Sequence, residues 1–181
     1  LGQLWENFAS TLGQQFWATS GLPQLWDNFE MILGQLWDNK VNIGGTESVL
    51  EAAKMCSLRV FSPSSIAVFG PDAPKHAPQI TDLNPTTVYG ETKVVGESLA
   101  KDYWDNHGID VRGIRYPGLI SYKAPAGGGT TDYAVEIFDA ALNEGYYECF
   151  VRPDTRLPML YMDDAIRATL MLMDAPSNTL G

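Results

Sequence analysis

The sequence predicts an α/β fold, with parallel strands and flanking helices behind a helical N-terminal segment. Three observations lead there. The chain has 181 residues and is 45% hydrophobic, which suits one globular domain with a real core. From Val41 onward, short β-rich runs alternate with longer runs of helical periodicity. Before Val41 an amphipathic repeat occupies the chain.

The repeat is "LGQLWENF" at Leu1, "LGQQFW" at Leu12, "LPQLWDNF" at Leu22 and "LGQLWDNK" at Leu33. Its apolar positions follow the i, i+3, i+4, i+7 pattern of one helical face. A step of 10 or 11 residues is about three turns, so each copy repeats that face. Thr19-Ser20-Gly21 is a break and Pro23 suits a first turn, so helices are expected over about 3–18 and 23–39. The units are too short for a solenoid. Their polar face holds Gln, Asn, Glu and Asp rather than the Lys and Arg of a membrane-surface helix. The repeat is therefore read as a stripe packed on the rest of the chain; sequence foreign to this region is the alternative.

The body reads in order. "VNIGGTESVLEAAK" is a helix with Val49, Leu50 and Ala53 on one face. "LRVFSPSS" (58–65) is a strand ending in small hydroxyl residues, and a Pro-rich loop follows. A helix of about 86–106 has Asn84 as cap, Pro85 in its first turn and Gly108 as stop. "IDVRGIRYPG" (109–118) is a second strand and turn, and "APAGGGTTDY" is a flexible loop. Residues 132–145 form a helix, "YECFV" and "PMLYM" are short strands, and a helix over 163–176, capped by acidic residues, closes the chain.

Composition excludes several function classes. Twenty-two acidic against 12 basic residues leave a net charge of -10, which repels phosphate backbones and argues against nucleic acid. No apolar run has the length to span a bilayer, and no signal peptide is visible at the start. Cys56 and Cys149 are too few and too distant for a disulfide framework, so a reducing interior is expected. His76 and His107 are isolated, and no metal site is expected.

The chemistry concentrates in "YGETK". Tyr89 and Lys93 are four apart on a predicted helix and share a face. A phenol, with a pKa of about 10, is a poor base at neutral pH. A neighbouring ammonium stabilises the phenolate and lowers that pKa. Such a pair can take a proton from an alcohol while a cofactor takes hydride. A solvated Lys beside a half-buried Tyr is the ordinary alternative. Context adds to the motif: Ser64 and Ser65 end a strand upstream, and "YPG" (116–118) ends the next, where its backbone faces the carboxyl edge of a sheet.

"FSPSSIAVFGP", "PTTVYGETKVVGE", "RGIRYPGLIS", "GGGTTDYAVEIF" and "TRLPMLYMDDAIRATLMLM" lie within residues 41–176. With these segments the chain resembles the extended short-chain dehydrogenase/reductase superfamily. Within it, the chain is similar to the short-chain type of L-threonine 3-dehydrogenase. The first three segments are shared widely with sugar-nucleotide epimerases and dehydratases; the last two are nearer to threonine dehydrogenases. The resemblance implies a partial Rossmann-like fold over 41–181, with 1–40 as an atypical helical region. It implies NAD-dependent oxidation of L-threonine to 2-amino-3-oxobutyrate. Tyr89 is then the general base and Lys93 binds the nicotinamide ribose. Ser65 holds the substrate oxygen, with Ser64 as the close alternative. Asn42 supports a proton relay, an ordinary surface amide being the other reading. Tyr116, Pro117 and Leu119 border the nicotinamide. Thr130 and Thr131 lie near the amino acid, unless the Gly-rich loop is merely mobile. Arg156 and Asp163 organise structure, Asp163 as a helix cap.

The family's opening strand, G-x-x-G-x-x-G turn and helix, which cradle the pyrophosphate, have no counterpart in these 181 residues. Gly44-Gly45 and Gly127-Gly128-Gly129 do not follow a strand and open a helix in a βαβ unit. Weak or no NAD binding by this chain is therefore expected. A homodimer in the cytoplasm, or in the mitochondrial matrix of a eukaryote, completes the expectation. The alternatives are a nucleotide-sugar epimerase or dehydratase, and a catalytically inactive dimerising fragment.

Overall fold

The computed structural model describes residues 39–121 and 131–180. The helices expected over 3–18 and 23–39 fall almost wholly on residues 1–38, outside the described residues, as does Thr130.

The first described element is a π-helical turn, Asn39–Ile43, that runs directly into α1, Gly44–Cys56. Asparagine and glycine are weak helix formers, and they cluster where the π turn passes into α1, at Asn42, Gly44 and Gly45. Leu50 and Ala53 of α1 are buried as the spacing predicts, whereas Val49 is 55% exposed. Ser57, with φ of 52°, ends the helix.

The two long strands expected over 58–65 and 109–118 form one parallel ladder in short pieces. β1, Val60–Phe61, pairs with β3, Val111–Arg112. β2, Ser64–Ser65, pairs with β4, Arg115–Tyr116, in the same register. Between them the backbone bonds Ser62 N–H to Arg112 C=O (2.7 Å) and Ser64 N–H to Ile114 C=O (2.9 Å) carry the ladder on. The bonds to the partner strand come from Val60, Ser62 and Ser64, so position 63 turns to the other edge, where a proline removes no bond of this ladder. The other strand is interrupted at Gly113–Ile114, and after Pro117 the chain changes partner. β5, Gly118–Ile120, pairs in parallel with β6, Met159–Tyr161.

α2, Val88–His107, packs over this ladder. It starts later than the sequence suggests: Thr87, not Asn84, is its cap, accepting the Gly90 N–H at 3.1 Å. Asn84 is held back because its carbonyl lies against the Cα of Gly70, and Pro85 packs beside Gly90. Gly108 ends α2 with φ of 66°, the left-handed stop that glycine favours. The core lies between α1, α2 and the ladder: Leu50, Ala53, Tyr103 and Ile109, with Val60, Leu99 and Val111 against them. Tyr103 donates to Glu51 across α1 and α2, and this pushes its phenol up to about 12.

α3, Tyr133–Asn143, follows. "YECFV" is not a strand: Tyr147 donates to Glu136 at 2.7 Å and Phe150 meets the Tyr133 ring edge-on, so side chains dock it on α3 without ladder bonds. α4, Met162–Asp174, begins at Tyr161 with no side-chain cap. Asp163 is therefore not its cap. It lies with Asp164 in the first turn, where acid favours the helix dipole. Arg156 is exposed and, among the described residues, without an ion pair, so no structural role is visible for it. At its far end α4 is held by Arg112, which donates to the carbonyls of Leu172 (2.5 Å), Met173 (3.1 Å) and Ala175 (2.7 Å).

Candidate active site

The carboxyl ends of β2 and β4 and the first two turns of α2 meet in one place. Tyr89 is 45% exposed there. Lys93, one turn on, sets its Nζ 5.5 Å from the centroid of the Tyr89 ring. The ammonium donates to the Pro63 carbonyl at 3.0 Å, just before β2. Burial pushes the Lys93 ammonium below its ordinary value. The helical spacing predicted this pairing; the Pro63 anchor appears only in the fold.

Thr92 is buried between the two. Its hydroxyl donates to the Tyr89 carbonyl at 2.8 Å and accepts the Asn42 amide at 3.3 Å. Asn42 sits in the π-helical turn, and its own carbonyl accepts the Thr46 hydroxyl at 2.6 Å. Asn42 thus reaches Tyr89 through Thr92, which the sequence reading passed over. A polar residue one position before the Lys of the Tyr-x-x-x-Lys motif was the available signal.

The two candidate serines leave the strand on opposite faces. Ser64 is buried and donates to Glu97 at 2.5 Å. Ser65 accepts the Ala67 N–H at 3.1 Å and caps the short helical turn Ile66–Val68. Glu97 also receives Arg115 at 2.8 and 2.7 Å, a bidentate pair. Burial alone would raise the Glu97 carboxyl, but Arg115 and Ser64 outweigh it and hold it below its ordinary value. Arg115 also lies over the Phe69 ring, 5.2 Å from its centroid. Neither Glu97 nor Arg115 was singled out from sequence, although Glu97 continues the Tyr89–Lys93 spacing by four more residues.

Tyr116 pairs with Ser65 in register, but its hydroxyl is engaged by Thr169 and the Ala165 carbonyl of α4. Pro117 is half-buried at the change of partner, and Leu119 is 37% exposed on β5. Thr131 packs so tightly on Gly118 that a Cβ there would come within 2.7 Å of its Cγ2. The start of α3 is thereby brought against the Tyr116–Pro117 turn.

The residues present fit the nicotinamide-ribose end of a dinucleotide. Lys93 has N–H groups beyond the one given to Pro63, Tyr89 is open to solvent, and Leu119 stands on the next strand. Among the described residues no glycine-rich turn leads from a strand into a helix N-terminus, the feature that suits a pyrophosphate. No group of three His, Cys, Asp or Glu among them could hold a metal ion, and no described helix is long and apolar enough to cross a membrane.

Known proteins are similar to this chain in sequence and fold. The mitochondrial L-threonine 3-dehydrogenase of Bos taurus is 48% identical over 141 residues, 77% of this chain and 38% of that protein. The solved structure of a monomeric L-threonine 3-dehydrogenase from a metagenome, in its apo form, is 62% identical with a TM-score of 0.77; the match covers 79% of this chain and 47% of that one. The holo form of a GalE-like L-threonine dehydrogenase from Cupriavidus necator is 53% identical with a TM-score of 0.78, over 81% of this chain and 48% of that one. The chain thus spans about half the length of these structures or less. The family model for NAD dependent epimerases and dehydratases matches residues 35–180, the span that carries the ladder and the Tyr89–Lys93 helix, and the chain belongs to that family.

Proposed function

We propose that this chain carries the proton-transfer residues of an NAD-dependent L-threonine 3-dehydrogenase, oxidising the β-hydroxyl of L-threonine to give 2-amino-3-oxobutyrate. The observation that carries the proposal is the Tyr89–Lys93 pair at 5.5 Å beside the strand that ends in Ser65. The named threonine dehydrogenases at 48% to 62% identity support the substrate. When bound, the nicotinamide supplies the hydride acceptor. Tyr89 takes the proton of the substrate hydroxyl. Lys93 stabilises the phenolate so formed, and because it is half-buried its charge is less screened than in water. Its free N–H groups are placed for the ribose. Ser65 orients the substrate oxygen, since the Ser64 hydroxyl is held by Glu97. Asn42 steadies the Tyr89 backbone through Thr92 and supports the proton relay. Tyr116, Pro117 and Leu119 border the nicotinamide; Thr130 and Thr131 approach the amino acid.

The setting belongs to the same proposal. Cys56 and Cys149 are free and exposed, and the bovine relative is mitochondrial, which supports a reducing compartment such as the matrix or cytoplasm. Exposed Val49, Met55 and Val95 on α1 and α2 support a homodimer.

The test is NADH formation at 340 nm by the intact protein, with L-threonine and with UDP-sugars as rivals. L-Threonine alone should give NADH, and Tyr89→Phe should cost about 10²- to 10⁴-fold in kcat. Turnover of a UDP-sugar without NADH from L-threonine would establish the epimerase reading in its place.

A further inference from the structure

We propose that Arg115 is a positioning residue for the Tyr89–Lys93 pair: by holding the Glu97 carboxylate, it keeps that negative charge from capturing the Lys93 ammonium. The proposal rests on the dehydrogenase reading for its catalytic meaning, but not for its test.

Tyr89, Lys93 and Glu97 are successive members of one i, i+4, i+8 row on α2. Lys93 and Glu97 border the same narrow cleft, beside Pro63 and Ser64. An unengaged carboxylate one turn from an ammonium pairs with it. Here the two are kept apart. Among the described residues Lys93 forms no ion pair; it donates to the Pro63 carbonyl and lies over the Tyr89 ring. Glu97 is engaged instead by Arg115, with Nε and Nη2 on its two oxygens, and by the Ser64 hydroxyl on one of them. Arg115 is itself fixed, by its place in β4 and by the Phe69 ring beneath it.

The groups that face Lys93 can be named element by element. From α2 they are Tyr89 and Glu97. From the strand side they are Pro63 and Ser64, and from the π-helical turn and α1 they are Asn42 and Thr46. Only Tyr89 and Glu97 of these titrate, and Arg115 acts through Glu97. A freed Glu97 would be a second anion competing with the Tyr89 phenolate for one cation. It would raise the pKa of both Lys93 and Tyr89. Arg115 thus keeps the cation at the service of the phenol.

The test follows the Lys93 titration by NMR of the protein labelled with ¹³C at lysine Cε, the signal being assigned by its loss in Lys93→Arg. It needs neither cofactor nor substrate, so it can be decided even if the intact protein does not oxidise threonine. Arg115→Met should move the Lys93 midpoint up by about one pH unit. Glu97→Gln should move it down, because the Arg115 charge is then uncompensated. The double variant should return it close to the parent. Arg115→Lys, which keeps a cation opposite Glu97, should stay near the parent, and it carries the comparison with Glu97→Gln if Arg115→Met fails to fold. A merely structural role would not give opposite shifts that cancel. An unmoved midpoint in Arg115→Met, or a double variant that behaves like Arg115→Met, overturns the proposal. In the intact enzyme the rise of kcat with pH should move to higher pH in Arg115→Met and recover in the double variant.

Discussion

Gly90 shows how tightly the residues around Tyr89 are specified. A Cβ at Gly90 would lie 2.3 Å from the Ala67 carbonyl oxygen and 2.6 Å from Pro85 Cβ. The first turn of α2 therefore rests on the short turn that Ser65 caps. Gly90→Ala should force these apart and cost about 1–3 kcal/mol in urea unfolding, with a fall in kcat because Tyr89 is displaced. Gly96 is the control on the same helix, with nothing within 4 Å of its would-be Cβ. Gly96→Ala should instead stabilise by about 0.5–1 kcal/mol. Equal effects of the two substitutions would mean that the packing at Gly90 is not what holds the turn. At this scale the sequence was informative where spacing decides. Tyr89 and Lys93 share a face because they are four apart on a helix, whatever surrounds them. It could not choose between Ser64 and Ser65, because alternation puts them on opposite faces and only the packing of α2 shows which face Glu97 occupies.

Among the elements, α4 depends on a charged clamp outside the active site. Arg112 is almost wholly buried, a residue type that is expensive to bury unless paired. It meets the cost by donating to Asp110 at 2.7 and 2.8 Å and to three carbonyls at the end of α4. Asp110 also receives Arg59 at 2.7 Å and the Ser177 hydroxyl at 2.8 Å. The Arg112 hydrogen bond, with Ser177 and Arg59, holds the Asp110 carboxyl well below the usual carboxylate range. A carboxyl depressed in the folded state stabilises the fold above its unfolded pKa of about 3.9, and that contribution is lost as pH falls toward the folded value. Stability should therefore drop below about pH 4. Asp110→Asn should be less stable at pH 7 and show a flatter acid limb, measured as thermal midpoint against pH. An acid limb as steep as the parent's would show that other carboxylates cause it. The sequence marked the helix that is clamped but not the clamp, since Arg112 and the carbonyls it caps are 60 to 63 residues apart.

For the whole molecule, the described residues bring together the Tyr89–Lys93 pair that we propose serves the nicotinamide-ribose end of a dinucleotide, and show no glycine-rich cradle for the pyrophosphate. Calorimetric titration of this 181-residue chain with NAD should accordingly give no binding in the micromolar range; a micromolar Kd would mean that other backbone N–H groups supply the cradle. The α/β alternation, the helix carrying Tyr89 and Lys93, and the stop at Gly108 were all legible in the sequence. Each is local: it depends on hydrophobic period, on i, i+4 spacing, or on a residue that tolerates positive φ. The tertiary structure alone decided what those elements meet. It split the long strands at Ser62–Pro63 and at Gly113–Ile114 and moved the cap of α2 from Asn84 to Thr87. It docked "YECFV" by side chains rather than by a ladder, and it set Arg115 against Glu97. These outcomes depend on which backbone donors find a partner and which charges are buried together, and both are fixed only when segments far apart in the chain pack against one another.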